Sequence, residues 1–234
     1  MRDNRGMSHQ PEEPGRRPRT SVVVLVAWSM IVVGLGLLGY VGWQFYGTNI
    51  VSAHKQQQVV ERTERAWRRS GGGGGGARSA TGVGTAQALI RIPRFGRKYV
   101  MPVQAGVSEQ VLAEGFGHFL HTAGPGQKGN YAIAAHRVTH GEPLRNMPEL
   151  RPGDKVLVET RTKTFTYVLD TNPNDLVVSF TGTWVLDPRP KNPISGGVSA
   201  GDYPQLLTMA TCSELFHTDN RMIVFGHLVH VTNN

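Results

Sequence analysis

The 234-residue sequence contains a single cysteine, Cys212. No intramolecular disulfide can form, so a fold outside the cytoplasm would have to stand on its core alone. Internal repeats are absent, as are helix-turn-helix, RNA-binding and zinc-finger patterns. The formal charge of +8 does not fill that gap. Residues 1–84 hold 11 Lys/Arg against 5 Asp/Glu, an excess of 6, whereas residues 85–234 hold 14 against 12, an excess of 2. The positive charge therefore belongs to the flanks of an apolar segment, and nucleic acid is excluded as the partner.

Charge is missing altogether from residues 22–46, a run of 25 with no Asp, Glu, Lys or Arg. As a helix this run would be about 37 Å long, enough to cross a hydrocarbon core of about 30 Å with some tilt. Arg16, Arg17 and Arg19 precede it, and Trp43, Phe45 and Tyr46 close it, so the positive-inside rule puts the N-terminus in the cytoplasm. A cleaved signal peptide competes, because Val51-Ser52-Ala53 has the small residues of a cleavage site. Its apolar region would be only about 7–15 residues long, which favours an uncleaved anchor.

Polar residues dominate 54–69, and Gly71 to Gly76 are six consecutive glycines. This stretch reads as a flexible stalk in which nothing can pack. The expected organisation is a cytoplasmic tail at 1–20, an anchor at 21–47, a polar and Gly-rich linker at 48–86 and a catalytic domain at 87–234. Alternation such as Phe165, Tyr167 and Leu169 against Thr164, Thr166 and Val168 makes the domain mostly β. Strands are expected at 88–92, 99–103, 131–135, 155–160, 163–169, 184–186, 206–211 and 222–231. Helix is expected only at 108–114 and 145–150. Eight short strands point to a barrel or sandwich.

The chemistry turns on Cys212. An inert buried thiol is the ordinary state of a free cysteine, but three features oppose it. The two-residue period puts Cys212 on the strand face of Thr208 and Ala210, small neighbours that leave a groove. It also ends its strand, at a rim. Arg221 opens the next strand, and a hairpin would bring it opposite Cys212.

Thr208-Met209-Ala210-Thr211-Cys212 followed by Arg221, and Ala132-Ile133-Ala134-Ala135-His136 upstream, resemble the signatures of the sortases. Ile92-Pro93, Gly124-Pro125-Gly126, Gly129-Asn130 and Gly153-Asp154 fall in the family's order, and the resemblance covers about residues 88–231. Met209 and Ala135 replace the signature's Leu and Gly. The run His136-Arg137-Val138-Thr139-His140-Gly141 is most similar to class E, the actinobacterial housekeeping type; class C or D, the pilin or sporulation type, is the alternative.

The resemblance implies an eight-stranded sortase-type β-barrel with short helices behind one transmembrane helix. It also implies a cysteine transpeptidase with catalytic His136, Cys212 and Arg221, and substrate contacts at Tyr131, Ala210 and Thr211. Core packing is the competing role for Tyr131. Cys212 would attack between Thr and Gly of an LAxTG-like or LPxTG-like sorting signal, and a peptidoglycan-precursor amine would release the thioester. No cofactor is implied. A catalytically silent binding module of the same fold is the other reading, opposed by the intact His, Cys and Arg.

No metal is expected. The pairs His118/His121 and His136/His140 lie in loop-like sequence without a nearby Cys or acidic third ligand, and residues 118–130, where some sortases hold calcium, contain no Asp or Glu. The chain is placed in the cell membrane by a single pass, with its domain outside.

Overall fold

The computed structural model describes residues 22–43, 48–70, 86–212 and 219–234. Residues 1–21, 44–47, 71–85 and 213–218 lie outside the description, and with them Arg16, Arg17, Arg19 and the six glycines. Helix α1, Val22–Gly42, carries no charged residue and buries none of its residues. It is long and apolar enough to cross a membrane, which fits a single-pass anchor.

The remainder forms a second unit built on nine strands. These are β1 (Ala88–Arg91), β2 (Met101–Ala105), β3 (Phe116–His118), β4 (Gly129–Ala134), β5 (Lys155–Glu159), β6 (Lys163–Leu169), β7 (Val177–Ser179), β8 (Gln205–Cys212) and β9 (Asn220–Asn233). They run β6-β5-β1-β2-β3-β4-β8-β9, and β6 pairs with β9 to close an eight-stranded barrel. Closure leaves no open edge along this ring. The fourteen-residue β9 also carries β7 on its first residues. Ile90, Val103, Phe116, Tyr131, Ile133 and Met209 fill the interior with their neighbours.

Two strands are beyond the sequence reading. β3 has three residues around a glycine, and β7 has three between Asn/Pro/Asp and Thr/Gly turns, both too short to show a period. The expected strand at 184–186 is instead a 3-10 turn, Thr183–Leu186. β7 already occupies the edge of β9 nearby, so Trp184, Val185 and Leu186 pack as a cap on Ala210, Ile223 and Phe225. β8 is thereby buried on both faces, with Leu207 and Met209 inside the barrel and Ala210 under this cap. The second expected helix reduces to a 3-10 turn, Met147–Glu149. The first is α3, Glu109–Ala113, with Ser108 as its cap.

The stalk is corrected in its first half. Thr48–Ser70 is a helix, α2, helped by i,i+4 pairs Glu61–Arg65 and Glu64–Arg68. Its residues Ser52, Gln56, Val59, Val60 and Thr63 recur at helical spacing and are buried. Val59 and Val60 pack with Ala86 and Leu89, and Thr63 Oγ1 accepts the Ala86 N–H at 2.9 Å. Arg91 of β1 lies 3.6 Å from Glu64 and donates to Glu159 at 2.8 Å.

Candidate active site

β4 and β8 run parallel in one register from Gly129↔Gln205 to Ala134↔Ala210. The offset is 76 residues throughout (210 minus 134), and 212 minus 136 is also 76. The Ala135 N–H continues the ladder to the Ala210 carbonyl at 3.2 Å. His136 thus leaves β4 at the level where Cys212 ends β8. On the other side Cys212 pairs with Arg221 in the antiparallel β8–β9 ladder. The hairpin expected from sequence exists, and it sets His136, Cys212 and Arg221 on three adjoining strand ends.

Thr211 is buried, and its hydroxyl donates to the Ala135 carbonyl at 2.7 Å. This clamp joins the residue before Cys212 to the residue before His136. Thr211, expected as a substrate contact, has its side chain in this buried clamp. Tyr131 is likewise inside the barrel, 1% exposed, with its ring 4.9 Å from that of His118. Burial pushes its phenol far above the ordinary range. Inside the core it offers no surface to a peptide, and the packing role is the one its environment fits.

Ala210 does line a groove. With Phe119, Ala134, Val178, Phe180 and Arg221 it encloses a cavity of about 190 Å³. A larger depression of about 500 Å³ follows along Val107, Leu120, His121 and Pro188 and shares Phe119, Thr183 and Leu186 with the first. The small Ala134 and Ala210 open the floor, and Arg221 places a permanent positive charge at one end. Among the described residues Arg221 Nη1 donates to the Asn220 carbonyl at 3.0 Å.

Two residues have contacts here that the sequence does not state, Asn130 being legible only as part of the Gly129-Asn130 motif. Asn130 is buried beneath the groove wall. Its amide donates to the carbonyls of Val185 and Asp187 at 3.0 and 3.1 Å, and its oxygen accepts from Thr208 at 2.8 Å. Glu109 lies 3.6 Å from His136 and 4.0 Å from His140. The expectation that these histidines lack an acidic neighbour is thus corrected: α3 supplies one from 27 residues upstream. Ser108 ahead of it, a helix-capping residue, was the only local signal.

The Sortase domain family model matches residues 90–229. The chain belongs to the sortase family. It is 34% identical over 223 residues to sortase SrtE1 of Streptomyces coelicolor, covering 92% of this chain and 60% of that protein. Sortase E of Streptomyces avermitilis superposes with a TM-score of 0.55 at 38% identity, over 63% of this chain and 90% of that one. Sortase E1 of S. coelicolor, solved with a tripeptide in its active site, superposes with a TM-score of 0.54 at 34% identity and the same coverage. The class E resemblance therefore holds in both sequence and fold. This sortase spans about three-fifths of the length of the S. coelicolor SrtE1 that it matches.

The segment matched by the family model begins after α2, and α2 touches the loop that carries His140. His140, Gly141 and Glu142 adopt φ values of 54°, 77° and 50° in succession, a left-handed run that only outside contacts can hold. Gln56 donates to the His140 carbonyl at 2.8 Å, Asn49 accepts the Gly141 N–H at 3.0 Å, and the Asn49 amide donates to Glu142 at 2.7 Å. At φ 77° glycine is the favoured residue, and a Cβ at Gly141 would also displace the Gln56 amide.

Proposed function

We propose that this sortase is a class E transpeptidase that cleaves an LAxTG-like sorting signal between Thr and Gly and joins the upstream protein to a cell-wall amine. The observation that carries the reading is the common register of β4, β8 and β9, which puts His136, Cys212 and Arg221 on neighbouring strand ends. A cysteine thiol has an ordinary pKa of about 8.5, so it needs a partner to act as thiolate near neutrality. His136 supplies the proton that the leaving amine takes as the C–N bond breaks and the thioester C–S bond forms. The incoming amine then loses a proton to the same ring as the new amide replaces the thioester. Arg221 stabilises the oxyanion that develops in both steps. The groove beside Ala210 and Arg221 receives the residues ahead of the cleaved bond.

Helix α1 anchors the enzyme in a single pass, with the N-terminus cytoplasmic and the barrel outside, where sorting-signal proteins and peptidoglycan precursors meet it. The test mixes the full chain in detergent with LAxTG and LPxTG peptides and candidate amines, and identifies the products by mass. Cleavage and transfer are expected with LAxTG, and Cys212→Ala is expected to abolish both. Retained transfer by Cys212→Ala would end the reading, since the chain holds no second thiol. External protease on spheroplasts is expected to remove the barrel; full protection would reverse the topology.

A further inference from the structure

Glu109, His136 and His140 arrive at one place by three routes. Ser108 accepts from the Val111 N–H and sets Glu109 in the first turn of α3. His136 follows β4, and His140 sits in the loop that α2 holds through Gln56 and Asn49. The two imidazole rings stack with centroids 4.7 Å apart and planes 28° apart. Nε2 of each faces the same Glu109 oxygen, at 3.6 and 4.0 Å, and one ligand atom from each residue lies within 4.8 Å of the others. Around tetrahedral zinc, with bonds of about 2.0–2.1 Å, such atoms stand roughly 3.3–3.5 Å apart. Side-chain adjustment of about an ångström closes the difference. The Glu109 side chain is 69% exposed and has the freedom to supply it.

We propose that this triplet is a binding site for a borderline divalent cation, Zn2+ above all, and that filling it stops the enzyme. Two imidazole nitrogens and one carboxylate oxygen are donors for zinc, copper or nickel, and poor ones for calcium or magnesium. Three protein ligands leave a fourth position to water. Ligation occupies a ring nitrogen of His136 that would otherwise carry a proton. The ring then cannot become the imidazolium that the leaving amine needs. Binding rests on the cluster alone, while inhibition rests on the role given above to His136.

The test separates the two halves. Full chain carrying Cys212→Ala, in detergent and a non-chelating buffer, is titrated with Co2+ by its visible absorption, and Zn2+ then displaces it. One equivalent is expected to bind without the thiol and to resist a large excess of Ca2+ or Mg2+. Glu109→Gln and His140→Gln are each expected to weaken Zn2+ by at least about tenfold, since even outer partners of metal ligands are worth 10–100-fold. Glu109 is exposed, so its variant is not at risk of misfolding. In the wild-type chain, Zn2+ is expected to halve transpeptidation at the concentration that half-fills the site, and EDTA to restore it. Loss of Co2+ binding in Cys212→Ala, or affinity unchanged in both Gln variants, would overturn the site. Triplet-dependent binding with unaltered turnover would overturn the inhibition and the proton-transfer role of His136, while cleavage that still requires Cys212 would leave the transpeptidase reading standing.

Discussion

Asn130→Ala tests the link between the barrel and the groove wall. The side chain is 1% exposed and makes three hydrogen bonds, two as donor to the Val185 and Asp187 carbonyls and one as acceptor from Thr208. Thr208 Oγ1 already lies 3.2 Å from the Val185 carbonyl, so it can turn its proton there when Asn130 is gone. The Asp187 carbonyl has no such substitute among the described residues. Two lost donations at about 1 kcal/mol each, with one stranded carbonyl, amount to about 2–4 kcal/mol. For a unit of this size that lowers the thermal midpoint by about 5–12 °C. The loss falls on Thr183, Val185 and Leu186, which line the groove. KM for a sorting peptide is therefore expected to rise more than kcat falls. Thermal circular dichroism and steady-state transfer on the same samples decide it. A midpoint within about 2 °C of wild type and an unchanged KM would show that the 183–187 turn is held by its apolar contacts alone, and the amide argument would be wrong.

Thr211→Val keeps the shape but leaves the Ala135 carbonyl without its 2.7 Å donor; about 1–3 kcal/mol of stability should go, with kcat reduced and KM little changed, and an unaltered kcat would remove the clamp from catalysis. Arg221→Lys keeps the charge and loses the planar fork, so turnover should fall at least about tenfold at an unchanged thermal midpoint; wild-type turnover would show that charge alone suffices. His118 is buried, and burial holds its pKa below the ordinary imidazole range although its ring nitrogen lies 3.0 Å from the Ala123 carbonyl. The unfolded chain then takes up a proton that the folded one refuses, so stability is lost as pH falls from about 6.5. His118→Gln should show a smaller drop in urea midpoint between pH 7.5 and 5.5, and an equal drop would mean that His118 is not a source of it.

What the sequence determined by itself is whatever its periods and short-range order encode. Residues 22–46 announce an apolar helix because no charge interrupts them. Phe165, Tyr167 and Leu169 announce a strand by their two-residue spacing, and the β8–β9 hairpin follows from a strand, a short loop and an Arg at the restart, so the pairing of Cys212 with Arg221 is encoded locally. Only the tertiary structure decided the rest, because those features depend on partners distant in the chain. α2 was hidden since three of its five buried positions are the polar Ser52, Gln56 and Thr63; Gln56 donates to a loop 84 residues away and Thr63 to local backbone. β3 and β7 are too short to carry a period and exist only because β2, β4 and β9 offer them edges. Thr211 and Tyr131 look like site residues in the linear motif, yet strand parity and closure of the barrel turn both into the interior. Glu109 reaches His136 because β2 and β3 are parallel neighbours with α3 between them, and no local pattern in the sequence states that proximity.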